Sequence, residues 1–154
     1  MLIHDFIQVP CACHEVTESV LSDARCLLAD TASAAYRDGE TLSVKLGLSG
    51  RHPQLQKQVV VDLGRPHQHG DVLRVPIQWW STAATALFPR LEGDLEFAPV
   101  GPSATHITLS ARYDPPLAGV GRAIDRLLLH RVAEASVRSF LTRVAASVST
   151  AVAA

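Results

Sequence analysis

The chain has 154 residues and a mass of 16.6 kDa, with 47% apolar and 19% charged residues, which suits one domain with a buried core and excludes a disordered chain. Its 14 basic and 15 acidic residues give a formal charge of −1, which excludes a general electrostatic attraction to nucleic acid or to anionic lipid. We therefore expect a single domain over residues 1–154 and no nucleic-acid partner.

The ends of the chain carry no targeting or spanning pattern. The first ten residues include His4 and Asp5 and lack the basic start and long apolar run of a secretory signal. The uncharged stretch Val144–Ala154 is mostly Ala, Ser, Thr and Val and is far shorter than the roughly 20 apolar residues of a spanning helix. These features predict a cytoplasmic protein with no integral membrane segment.

The chain contains three cysteines, which are Cys11, Cys13 and Cys26. An odd number without an export signal favours free thiols. The run Cys11-Ala12-Cys13-His14 has only one residue between its cysteines, whereas zinc sites use two to four. We therefore predict no metal and no other cofactor.

The first third of the chain predicts one strand and two short helices. Residues Leu2–Val9 are rich in β-forming side chains, and Pro10 ends that strand. Apolar residues recur at helical spacing over Val16–Leu21. The pair Ser22-Asp23 can cap a second short helix, which we expect to end at about Ala35.

Alternating apolar and polar residues dominate the middle of the chain. This period of two is typical of strands with one buried and one solvated face, and the short connections favour an antiparallel arrangement. We interpret Gly64–Gly70 as a turn between two of these strands. The predicted strands are Thr41–Leu48, Lys57–Leu63, Asp71–Trp80, Leu91–Phe97 and Thr105–Tyr113.

A long helix is predicted to cover the sheet. The prolines after Asp114 end strand pairing, and the chain from Leu117 to about Ser149 contains no further proline. A helix of roughly 30 residues is about 45 Å long, so it should cross the whole sheet. The order predicts an α+β fold in which a curved antiparallel sheet of six or seven strands wraps around a long C-terminal helix, with two short helices after the first strand.

This order of elements resembles the helix-grip fold of the SRPBCC superfamily, which includes START lipid-transfer domains, the birch-pollen-allergen family and polyketide cyclase-like proteins. The more specific resemblance, to a small bacterial branch, lies in Pro76-Ile77-Gln78-Trp79, in Leu87–Leu95, in Tyr113-Asp114-Pro115-Pro116 and in Asp125–Leu141. The resemblance implies a hydrophobic cavity between the sheet and the C-terminal helix. The sequence carries no recognisable catalytic signature of a cyclase, so the resemblance does not support the enzymatic branch of the superfamily.

The inward face of the predicted sheet carries the aromatic residues Trp79, Phe97 and Tyr113 and would line that cavity. Apolar walls with few polar groups are typical of binding sites for apolar ligands, although the same residues can form a packed core. The candidate ligand-binding residues are Ile77, Trp79, Phe97, Leu109, Tyr113, Leu128, Arg131, Glu134 and Arg138.

The three charged candidates on the long helix have two interpretations. Arg131, Glu134 and Arg138 share one side of the helix and could form solvated pairs at i,i+3 and i,i+4 spacing. Alternatively they point toward the sheet, where Arg131 would bind a carboxylate or phenolate through its planar fork of donors.

Three functions fit these observations. The first is binding or carriage of a small hydrophobic ligand such as a lipid, a polyketide or an aromatic compound. We expect the protein to act as a monomer or a homodimer. The second is an aromatic cyclase or dehydratase using Tyr113, Arg131 or Glu134, although a Glu134 between two arginines would stay ionised and donate protons poorly. The third is an interaction module with a filled core, in which Trp80 and residues 81–89 form a dimer surface.

Overall fold

The computed structural model describes residues 1–45, 59–81, 90–114 and 126–154. Within these ranges no helix combines the length and the apolar character that crossing a bilayer requires. The elements, in chain order, are β1 (Leu2–Val9), α1 (Cys13–Ser22), α2 (Asp30–Lys45), β2 (Val59–Leu63), β3 (His67–His69), β4 (Val72–Ser81), β5 (Arg90–Pro99), β6 (Thr105–Asp114) and α3 (Arg126–Ala153).

The six strands form one antiparallel sheet in the order β1-β6-β5-β4-β2, with β3 also paired to β4. The first strand of the chain therefore lies at one edge, beside the last strand. The strands β2 and β3 share β4 as their partner, because Gly64 turns between them and its N–H donates to the Pro76 carbonyl at 2.8 Å. The predicted antiparallel sheet with one helix-covered face is confirmed.

Alternate residues of the sheet point toward α3, as the period of two predicts. On β4, for example, Leu73, Val75, Ile77 and Trp79 are buried, whereas the residues between them are partly or fully exposed. The facing side of α3 repeats its buried pairs every four residues, from Val132-Ala133 to Val148. The sheet and α3 enclose one apolar core, to which α1 and α2 add their own buried residues.

One predicted strand is wrong. Residues Thr41–Lys45, the first part of the predicted strand Thr41–Leu48, belong to α2, and residues 46–48 lie outside the described ranges. The buried residues Ala32, Ala35 and Tyr36 recur at helical spacing, and α2 packs against α3. Tertiary packing of this helical stripe overrides the short alternation that suggested a strand.

Other boundaries also shift. The second helix is not short, because a π-helical turn at Arg25–Ala29 leads directly into the 16 residues of α2. The predicted turn Gly64–Gly70 contains the short strand β3. The long helix extends to Ala153, beyond the expected end at about Ser149, and the predicted residues 117–125 lie outside the described ranges.

Candidate functional site

The inner face of the sheet holds five of the predicted ligand-binding residues. Ile77, Phe97 and Leu109 are 0% exposed, so protein atoms cover their side chains completely. Trp79 and Tyr113 are almost as deeply buried. The backbone of Leu128 lies in α3, but its side chain lies outside the described part of the chain. The interface between sheet and helix is therefore filled at these positions by the protein's own side chains.

An aromatic contact joins the two layers directly. The rings of Trp79 on β4 and Phe140 on α3 have centroids 5.2 Å apart and planes at 68°. Edge-to-face packing of this kind is favourable beyond the apolar area that it buries. At the other inward aromatic, burial raises the pKa of the Tyr113 hydroxyl to about 12.

Open space lies beside this core, between the edge strand and the long helix. We call it the β1–α3 groove, and its volume is about 650 Å³. Among the described strands β1 has a neighbour in the sheet on one side only, and residues of its first half line the groove. The lining residues are Leu2, Ile3, His4, Asp5, His130, Arg131, Glu134, Ala135 and Arg138.

Helical spacing brings the three charged candidates together at this groove. Arg131, Ala135 and Arg138 lie at i, i+4 and i+7 on α3, and Glu134 lies beside them. All three charged side chains are exposed. They therefore share one side of the helix, as predicted, and that side lines an open groove at the edge of the sheet.

The ionic partners at the groove differ from the predicted pairs. Arg138 Nη2 lies 2.8 Å from Asp5 Oδ1, and its Nη1 donates to the Phe6 carbonyl at 3.4 Å. Glu134 Oε1 lies 3.1 Å from His130 Nε2. The expected pairs of Glu134 with Arg131 and Arg138 are therefore not formed, because β1 and His130 supply partners instead. Within the described ranges Arg131 forms no ion pair and no hydrogen bond.

The backbone of β1 adds polar groups to the groove. The Met1 amino group donates to the Tyr113 carbonyl at 2.8 Å, and the Tyr113 N–H donates to the Met1 carbonyl at 2.8 Å. Because pairs that exchange both bonds alternate along antiparallel strands, the peptide groups of Leu2 and His4 point away from β6 toward the free edge. The bond from Arg138 to the Phe6 carbonyl follows the same alternation.

Sequence reasoning missed His130 and the β1 residues of the groove. The i,i+4 spacing of His130 and Glu134 was a readable signal for that pair. No local signal places Asp5 beside Arg138, because their sequence positions are far apart and only the sheet order joins them. The Nδ1 atom of His130 is buried and has no hydrogen-bond partner in the described structure.

The residues suggested for catalysis are not gathered at one place. Arg131 and Glu134 line the β1–α3 groove, whereas Tyr113 lies in the core of the sheet and is not among the lining residues.

Trp80, proposed as part of a dimer surface, is only partly exposed and packs under Arg90, whose guanidinium carbon lies 5.5 Å from the ring centroid. The rest of that proposed surface, residues 82–89, lies outside the described ranges.

A second, smaller groove of about 240 Å³ lies near the start of α1 and includes Cys13 and Asp71. The three cysteines are free thiols, and burial raises the pKa of the Cys13 thiol. The described residues contain no group of three or more His, Cys, Asp or Glu side chains that could hold a metal ion. A raised pKa reduces the thiolate fraction and so lowers the reactivity of the Cys13 thiol.

No protein-family model and no curated protein matches the sequence. Solved structures match nearly the whole chain. A conserved protein from Geobacillus kaustophilus has 12% identity and a TM-score of 0.52, with 97% of this chain and 96% of that chain covered. The Zhui aromatase/cyclase from Streptomyces sp. R1128 has 12% identity and a TM-score of 0.50, with 97% and 93% covered. Ara h 8.0201 has 9% identity and a TM-score of 0.50, with 97% and 98% covered. The chain therefore has the helix-grip fold, which the resemblance to the SRPBCC superfamily predicts.

Proposed function

We propose that the protein binds a small hydrophobic molecule in the β1–α3 groove, between the edge of the sheet and the C-terminal helix. The groove itself carries this proposal, because its volume of about 650 Å³ falls within the range of roughly 300–1,000 Å³ that is usual for small-molecule sites. Three of its lining residues, Leu2, Ile3 and Ala135, are apolar, and the other six are polar or charged. Such walls suit a ligand whose apolar part is joined to a polar group.

In this proposal the two sets of predicted residues have different roles. Arg131, Glu134 and Arg138 line the site and contact the ligand. The inner-face residues around Trp79 and Phe97 hold the sheet against α3 and keep the groove wall in place, since their side chains are already covered by protein. One protein with this fold is named an aromatase/cyclase, which makes an aromatic compound a reasonable probe.

Titration with 2-naphthylmethanol, a neutral aromatic probe, followed by calorimetry tests the proposal. The variant Ala135→Trp fills the groove from its helical wall, whereas Ala146→Trp adds the same side chain at an exposed position of α3 outside the groove. Circular dichroism first establishes that both variants are folded.

We expect saturable binding to the wild type, a loss of at least about tenfold in affinity for Ala135→Trp, and a change within about twofold for Ala146→Trp. The proposal is wrong if the wild type shows no saturable binding, or if the two variants bind the probe equally well.

A further inference from the structure

We infer that the β1–α3 groove selects ligands that carry a single carboxylate, and that Arg131 binds this group. The inference rests on the proposed function, because it names the chemical class of ligand for the same groove. It goes beyond the groove's volume and shape, since it depends on how the charges that line the groove are distributed.

Three of the four acidic and arginine side chains at the groove already have partners. Arg138 pairs with Asp5 at 2.8 Å, and Glu134 contacts His130 at 3.1 Å. Arg131 is exposed, and no residue of the described ranges pairs with it. A guanidinium presents a planar fork of donors that matches the two oxygens of a carboxylate, so Arg131 is the cation that a ligand can neutralise.

The β1 side of the groove, opposite α3, supplies backbone hydrogen-bond donors for a carboxylate. The peptide groups of Leu2 and His4 point to the free edge of β1, and neither N–H has a partner among the described residues. Backbone N–H groups are neutral donors that favour an anion without repelling its apolar body. The side chain of Leu2 is 77% exposed beside them and offers apolar contact.

The acidic residues of the groove limit the charge that it accepts. Asp5 and Glu134 both line the groove, so among the described lining residues a ligand with two negative charges meets two carboxylates and one arginine without an ionic partner. Like charges at short range are costly, particularly where burial lowers the effective dielectric constant. The arrangement therefore favours a monoanion over the dianion of a phosphate monoester.

Three probes that share a naphthyl group test this inference at pH 8. They are 2-naphthoate, 2-naphthylmethanol and 2-naphthyl phosphate. At that pH the carboxylate carries one charge and the phosphate monoester carries close to two, since its second pKa is about 6. Each probe is titrated into the wild type and into two variants with the same charge change. The variant Arg131→Gln removes the proposed contact, and Arg65→Gln removes an exposed arginine of the β2–β3 turn, outside the groove.

We expect the wild type to bind 2-naphthoate about tenfold more tightly than either other probe, as one charge-assisted contact allows. Arg131→Gln should abolish this preference, whereas Arg65→Gln should keep both the preference and the affinity for 2-naphthylmethanol within about twofold of the wild type. The inference is overturned, with the proposed function intact, if 2-naphthylmethanol binds but 2-naphthoate binds no more tightly, or if Arg131→Gln keeps the preference. If 2-naphthylmethanol shows no saturable binding to the wild type, the proposed function fails and the inference fails with it.

Discussion

Trp79 and Phe140 meet edge to face, with ring centroids 5.2 Å apart, and this contact joins the centre of α3 to the concave side of β4. Both residues belong to the buried core, and Phe140 is 0% exposed. The position of α3 over the sheet, and with it the width of the β1–α3 groove, therefore depends on how well this pair packs.

The change Phe140→Ala should destabilise the fold by about 3–5 kcal/mol, because it removes a fully buried ring and leaves a cavity that the surroundings fill only in part. Urea denaturation followed by circular dichroism measures the loss. The matched control is Leu21→Ala on α1, where the side chain is 53% exposed and the expected change is within about 0.5 kcal/mol. A small effect of Phe140→Ala would mean that α3 is not held by this contact.

Gly93 permits a close approach between two neighbouring strands. It pairs with Ile77 on β4 and with Ala111 on β6, and a Cβ built on it would lie 2.6 Å from the Ala111 Cα and even closer to the Ser110 carbonyl oxygen. These backbone atoms cannot move aside as a flexible side chain could. Glycines at such points allow neighbouring backbones to approach closely.

We expect Gly93→Ala to destabilise the protein by about 1–3 kcal/mol, since the added methyl group must displace the backbone of β6. Thermal or urea unfolding measures this change, with Glu92→Ala at the exposed neighbouring position as the control, for which the effect should be within about 0.5 kcal/mol. Equal stability of Gly93→Ala and the wild type would show that the strands can separate here at little cost.

Much of the fold was predictable because its sheet has one buried and one solvent-exposed face, which produces an alternating pattern of apolar and polar residues. The alternation over Thr105–Tyr113 placed that strand correctly to within one residue, and the proline-free stretch after residue 116 predicted a long C-terminal helix. The alternation over Thr41–Leu48 gave a wrong strand because a short apolar pattern fits both periods. Whether this segment forms a helix or a strand depends on the packing of α2 against α3. A contact between segments so distant in the sequence cannot be inferred from the local pattern of residues.

The candidate site was predictable only along the helix. Spacing alone brought Arg131, Glu134 and Arg138 to one side of α3, and the structure places all three at one groove. Their partners could not be predicted, because Asp5 reaches Arg138 through the position of β1 at the edge of the sheet. Sheet order is set by the whole chain, so the sequence near either residue does not reveal it.

Asp38 on α2 should make the stability depend on pH in acid. Its Oδ2 accepts hydrogen bonds from the Ser139 hydroxyl at 2.6 Å and from Arg143 Nη2 at 2.9 Å, and these bonds, with Ser139 as the larger cause, lower the pKa of the Asp38 carboxyl below 3.8. A lowered pKa in the folded state means that the stabilisation is present above the unfolded pKa and is lost as the pH falls through the folded pKa.

The variant Asp38→Asn should therefore be less stable than the wild type at pH 7, and the difference should shrink below about pH 4. Because both side chains are roughly half exposed, the effect at pH 7 should not exceed about 1 kcal/mol. Urea unfolding at pH 7 and at pH 2.5 measures it, with Asp62→Asn on the exposed side of β2 as the control. A difference that is the same at both pH values would contradict the assigned role of the Asp38 carboxylate.

The hydroxyl of Tyr113 should titrate far above its usual range in the folded protein. Burial raises its pKa to about 12, because the phenolate would lose its hydration inside the core. The unfolded chain should ionise this group at about pH 10, so the stability that depends on the neutral phenol is present below that pH and is lost as the pH rises toward 12.

The absorbance of tyrosinate at about 295 nm, taken as the difference between wild type and Tyr113→Phe, isolates this residue from Tyr36. We expect the difference to rise with a midpoint near pH 12 in the native protein and near pH 10 in denaturant. A native midpoint near 10 would mean that solvent reaches Tyr113, which would return this residue to the candidates for ligand contact. A midpoint near 12 would mean that Tyr113 is a neutral core residue at physiological pH. The charged residues of the β1–α3 groove would then remain the candidates for ligand contact.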